Sequence, residues 1–116
     1  MHPTNEAAAY LNGAWISAAE AAISLDDAGF ILGASVAEQL RTFGGKLFRL
    51  DDHLARLAHS LEIVGLDPGM DMREIGAIAE ELAARNHRLL EPDDDLRLAI
   101  VITPGVHPAY GPPCRR

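Results

Sequence analysis

The chain has 116 residues, 48% of them apolar and 23% charged, with a formal net charge of -7. That size supports one domain with a buried core, and the acidic balance excludes nucleic acid or an anionic membrane as a general partner. Cys114 is the single cysteine, so no internal disulfide forms, and the absence of a secretory pattern or a membrane-length apolar run makes a cytoplasmic domain the default expectation.

Residues 10–16 read as a short strand with an Asn12-Gly13 turn signal inside it, which predicts a hairpin or a bent strand. Ser17 and Glu20 have the spacing of a capping box, so a brief helical turn is expected there. Residues 23–25 form a candidate short strand before the Asp26-Asp27 turn. Strands over 35–43 and 47–50 then flank Gly44-Gly45, where two glycines accept positive φ and close a hairpin.

Two helices follow. Asp51 or Asp52 is the expected cap of the first, which runs to about Val64 and stops at Gly65. Leu54, Leu57, Ala58, Leu61 and Val64 make one apolar stripe along it. The second spans about 72–89, with Ile75, Ile78, Ala79 and Leu82 inward, and Pro92 with Asp93 to Asp95 ends it. Residues 96–103 are the clearest strand, because Leu96, Leu98, Ile100 and Ile102 alternate with Arg97, Ala99 and Val101. Pro104-Gly105 stops that strand, and the proline-rich remainder predicts an irregular tail. The sum is an α+β domain, a mainly antiparallel sheet with two covering helices.

Chemistry-bearing residues are few. His53, Arg56 and Ser60 fall within an arc of about 60° beside the apolar stripe of the first helix, so three donors could converge on a phosphate. The plainer expectation is that they reach solvent or pair with Asp52 and Glu62. Glu38 is a candidate buried carboxylate, with Arg41 or the sheet edge as its simplest partner. His2, His53, His59, His87 and His107 are scattered without a metal-ligand spacing, and the aspartates 93–95 read as a solvated turn. No metal site is expected. Cys114 and Tyr110 have no assignable role.

An ordered set of short motifs carries more. It runs Leu11-Asn12-Gly13, Asp26-Asp27-Ala28-Gly29-Phe30, Gly33, Ser35-Val36-Ala37-Glu38-Gln39-Leu40-Arg41, Gly44-Gly45-Lys46 and His53-Leu54-Ala55-Arg56-Leu57. The set resembles the N-terminal domain of the class IV aminotransferases, the fold-type IV enzymes that use pyridoxal 5'-phosphate (PLP). The resemblance covers residues 9–66 and, more loosely, 96–105. It implies the small N-terminal domain of the D-amino-acid aminotransferase-like fold over 1–103, followed by a truncated linker or irregular tail over 104–116. Arg56 stands where the family grips the PLP phosphate. Ala37, Gln39 and Arg41 stand where it lines the substrate pocket.

The resemblance also implies amino-group transfer between an amino acid and a 2-oxo acid by a homodimer. Branched-chain substrates are the first expectation, and D-amino-acid transamination and aminodeoxychorismate lyase chemistry are the alternatives. Three positions depart from the family. Ala37 replaces an aromatic residue and widens the pocket, Leu32 replaces another, and residues 103–105 are Thr-Pro-Gly where an arginine often receives a substrate carboxylate. Arg97 and His107 are the substitutes within reach in sequence. Lys46, the single lysine, sits at a hairpin tip, which is an unpromising place for the amine that binds the cofactor. The expectation is therefore a first domain of such an enzyme cut short, inactive alone, prone to dimerise and weak in binding PLP. The reading from a different class is a non-catalytic truncated domain or interaction module.

Overall fold

The structure, a computed structural model, describes residues 6–107. Its elements in chain order are β1 (Ala8–Leu11), β2 (Ala14–Ser17), a 3-10 turn (Ala18–Glu20), α1 (Ala28–Ile31), β3 (Val36–Phe43), β4 (Lys46–Leu47), α2 (Leu50–Val64), α3 (Met72–His87) and β5 (Arg97–Ile102). Strands β1 and β2 form a two-stranded hairpin, and β4, β3 and β5 form a three-stranded sheet in that order. Every strand pairing is antiparallel.

The hairpin reading of 10–16 is correct but too short. Asn12 and Gly13 both take positive φ, at 50° and 89°, and connect two four-residue strands. Asn86 of α3 docks this hairpin: Ala8 N donates to Asn86 Oδ1 at 2.9 Å, and Asn86 Nδ2 donates to Ala8 O at 3.0 Å. The Arg85 guanidinium lies 4.0 Å from the Trp15 ring centroid, a cation–π contact on the same side. Ser17 caps the 3-10 turn by accepting from Ala19 N, but the reciprocal Glu20 bond of a capping box does not form.

No strand forms at 23–25. Ile23 and Leu25 are 59% and 78% exposed, so no neighbouring strand covers them. Order in this region comes from side-chain and backbone stitching instead. Asp27 accepts from Gly29 N at 2.7 Å and from the Thr103 hydroxyl at 3.1 Å, while Ala28 N donates to Gly105 O at 2.8 Å. A Cβ on Gly29 would stand 2.3 Å from Thr103 Cγ2, so this crossing requires glycine. The residues 104–107 are thereby tied to the body of the domain, and the rest of the expected tail, with Tyr110 and Cys114, lies outside the described residues. So does His2.

The Gly44-Gly45 turn closes β3 onto β4 as expected, but β4 is two residues long and ends at Leu47. The chain then turns through Arg49, which takes a left-handed conformation (φ 55°) and is the N-cap of α2 without a side-chain capping bond. Asp51 and Asp52 are therefore not the cap. They sit in the first turn of the helix, where their charge favours the positive end of its dipole. Val64 ends the helix 60% exposed and does not extend the apolar stripe. Helix α3 starts in a full capping box, with Asp71 accepting from Glu74 N and Glu74 accepting from Asp71 N. Its buried residues are Ile75, Gly76, Ala79 and Ala83; Ile78 and Leu82 are half-buried.

Both long helices pack on one face of the three-stranded sheet. Val36, Leu57, Leu61 and Ile75 form one core, and Leu40, Ala79, Ala83 and Leu98 form a second. The opposite face of the sheet is open.

Candidate functional site

Strand β3 alternates strictly. Val36, Glu38, Leu40 and Thr42 are buried beneath the helices, while Ala37, Gln39, Arg41 and Phe43 are exposed on the other side. A period of two guarantees this separation, and it puts a carboxylate at an inward position among apolar neighbours. Glu38 is 5% exposed. A carboxylate so placed needs cationic hydrogen-bond partners, and α2 supplies them.

Arg56 grips Glu38 with two parallel bonds, Nε to Oε2 at 2.8 Å and Nη2 to Oε1 at 2.9 Å. His53 Nδ1 lies 2.7 Å from Oε1. One helical turn separates the two α2 residues, so both reach the same carboxylate. The Arg56 hydrogen bonds, assisted by His53, hold the Glu38 carboxyl below its ordinary value against the burial that alone would raise it. Glu38 in turn raises the Arg56 guanidinium.

The convergence of His53, Arg56 and Ser60 on one external anion is thus corrected. His53 and Arg56 converge on Glu38, and Ser60 does not join them among the described residues. Asp52 and Glu62 are not their partners either: Asp52 pairs with Arg49 at 3.4 Å. Nor does Glu38 pair with Arg41, because the two point to opposite faces. Arg41 instead lies 3.4 Å from Asp95 and 4.1 Å from the Phe43 ring centroid. Although bound to Glu38 on one edge, the Arg56 side chain is 67% exposed. Its bonds to Glu38 use Nε and Nη2, which leaves Nη1 for an anion arriving from outside.

Ala37, Gln39 and Arg41 do share one face, as the motif spacing implies. Across β5 they stand in register with Val101, Ala99 and Arg97. A shallow groove of about 310 Å³ is lined by Gln39, Leu40, Arg41, Phe48, His53, Arg97, Leu98 and Ala99, residues of both faces of the sheet and of α2. His53 therefore borders the groove while its Nδ1 contacts Glu38. Thr103 does not face the groove in place of an arginine. Its hydroxyl is engaged by Asp27 and its methyl by Gly29. Lys46 is exposed on β4, and no contact ties it to Glu38, His53 or Arg56 among the described residues.

The link between Glu38 and the α2 pair is the element that spacing alone did not establish. A signal for it was present: an acid at the inward parity of Val36-x-Glu38-x-Leu40-x-Thr42 demands partners from the covering helix.

The family model for amino-transferase class IV matches residues 35–115. The chain belongs to the class IV aminotransferases. Among curated relatives, the D-alanine aminotransferase of Staphylococcus aureus (strain N315) is 32% identical over 77 residues, covering 66% of this chain and 27% of its own length. Among solved structures, the branched-chain aminotransferase of Thermoproteus uzoniensis with norvaline has a TM-score of 0.67 at 27% identity, over 83% of this chain and 32% of that one. An aminotransferase of Brucella abortus bound to PLP has a TM-score of 0.64 at 27% identity, over 79% and 31%. This class IV aminotransferase chain thus spans about 27% of the length of the curated D-alanine aminotransferase it matches.

Proposed function

We propose that the chain is the N-terminal part of a PLP-dependent aminotransferase that moves an amino group between an amino acid and a 2-oxo acid. Arg56 is the phosphate grip in this reading, and Ala37, Gln39 and Arg41 border the substrate. The observation that carries it is the half-used guanidinium. Glu38 and His53 fix one end of the site from the core, and the free edge of Arg56 is presented to solvent at 67% exposure. A buried carboxylate bonded side-on restricts the arginine's rotamers, so less freedom is lost when a phosphate binds.

The residues present fit the phosphate end of PLP and not its aldehyde end, because Lys46 stands apart on the β4 hairpin. The cofactor, when bound, supplies an electron sink for the amino acid's α-carbon. The chain's own contribution is binding and orientation: Arg56 holds the phosphate and Glu38 with His53 holds Arg56. The amine and the proton carrier are not assigned to any residue described here. The printed names of the relatives divide over the substrate. The curated sequences are D-alanine aminotransferases and the Thermoproteus structure is a branched-chain enzyme. D-Amino-acid transfer is therefore a second reading beside the branched-chain one.

The test uses pyridoxine 5'-phosphate, which has no aldehyde and cannot react with stray amines, against pyridoxine. We expect the phosphorylated ligand to bind about tenfold or more tightly, with Arg56→Gln abolishing that preference and Lys46→Arg preserving it. Equal binding of the two ligands, or an unchanged preference in Arg56→Gln, overturns the proposal.

A further inference from the structure

Strand β5 lies at the border of its sheet, and among the described residues it pairs with β3 alone. Thr42 N donates to Leu96 O at 2.9 Å, so the alternating ladder turns the backbone groups of Leu98, Ile100 and Ile102 toward β3. Those of Arg97, Ala99 and Val101 therefore point outward. Such a row is a template for another strand, and natural edges are blunted by lysines, inward charges, bulges or prolines. Strand β5 has none of these: its six residues pair without a bulge, and Arg97 is its single charge. Its inward side is also incompletely covered. Leu98 is buried, but Ile100 and Ile102 stay half-buried beside the open edge, and Val101 on the other face is 60% exposed.

We infer that β5 is a self-recognition edge, which pairs antiparallel with β5 of a second copy about a twofold axis through Ile100. A side-chain period of two restricts the register, because a slip of one residue would set inward apolar side chains against outward ones. The axis through Ile100 puts Leu98 opposite Ile102 of the second copy and Ala99 opposite its Val101. The outward backbone groups of Ala99 and Val101 then find partners, and Ile100 and Ile102 gain cover on the helix side. The charges match as well. Arg97 stands opposite Thr103 of the second copy, whose hydroxyl is held by Asp27 at 3.1 Å, so each end brings a guanidinium toward a carboxylate. The chain's own residues 108–116 are a poorer occupant, since Pro108, Pro112 and Pro113 have no N–H to give to a ladder. Contact through one strand, between copies that each carry a net charge of -7, keeps the dimer weak. The inference rests on strand geometry and not on the cofactor reading.

The experiment is sedimentation of the full chain from about 1 to 200 µM, with amide hydrogen exchange followed by NMR over the same range. The chain should pass from monomer to dimer. The Ala99 and Val101 amides should gain protection of about tenfold or more with concentration, while those of Leu98 and Ile100 are protected throughout. Val101→Lys should weaken the dimer about tenfold or more, because two such lysines stand diagonally across the axis, about 7–8 Å apart. Val101→Pro, which removes an outward N–H, should abolish it, with circular dichroism confirming the fold; if that variant unfolds, Val101→Lys decides. A chain that stays monomeric throughout, or a dimer indifferent to Val101→Lys, overturns the inference. Ala99 and Val101 amides protected equally at every concentration would show that the chain covers its own edge, which overturns it too.

Discussion

The two faces of β3 are made from one eight-residue segment, yet they obey different physics. On the inner face Val36, Leu40 and Thr42 are buried, and the charged Glu38 has both carboxylate oxygens engaged by Arg56 and His53. On the outer face Gln39 and Arg41 are exposed, and Arg41 stands across from a second arginine. A polar group under the helices must be satisfied within the protein, because an unpartnered one there costs free energy on folding. Groups on the open face answer to water, so they are free to be arranged for a ligand. The difference teaches that one strand satisfies its inward polar groups within the protein and leaves its outward side chains to solvent.

Four substitutions sharpen this contrast. Leu40→Ala should have the largest effect, a loss of about 2–5 kcal/mol, since Leu40 is 3% exposed and packed among Ala79, Ala83 and Leu98. Urea unfolding of this variant beside Gln39→Ala, whose change should stay within about 0.5 kcal/mol, measures the two faces directly. Comparable losses at both positions would break the comparison.

Glu38→Gln should have an intermediate effect that depends on pH. Because the Glu38 carboxyl is held below its ordinary value near 4.5, its ionised form contributes stability that is fully present above that pH. That contribution disappears as the pH falls through the lower folded-state value. Unfolding midpoints taken between pH 3 and pH 7 should therefore decline more steeply toward acid in the parent chain than in Glu38→Gln, with the variant the less stable at neutral pH. Parallel curves would mean that Arg56 and His53 do not stabilise the carboxylate.

The smallest effect is expected at Arg97. Removing one member of the opposed pair by Arg97→Gln should raise stability by a few tenths of a kcal/mol at low salt, and salt should erase the gain. A loss of about 1 kcal/mol or more would show that Arg97 contributes to the fold despite the opposed charge.

Much of the fold was legible before any coordinates. Gly44-Gly45 and Asn12-Gly13 announced their hairpins because positive φ is a local property of the backbone. The periodicities of α2, α3 and β5 announced their buried sides, and the ordered motifs placed Arg56 on α2 and Ala37, Gln39 and Arg41 on one face of β3. The misjudged details share a cause. The strand expected at 23–25 has no partner strand, and the α2 cap passed from the aspartates to Arg49 because the short β4 makes the chain turn at residue 49.

Sequence by itself determined which residues alternate, which turns close and which family pattern the chain carries, since each depends on neighbours a few positions away. Tertiary structure alone decided that Arg56 and His53 meet Glu38, that Thr103 fills the space beside Gly29, and that Arg97 faces Arg41. Those contacts join residues far apart in the chain, and only helix docking and strand register fix the distances between them.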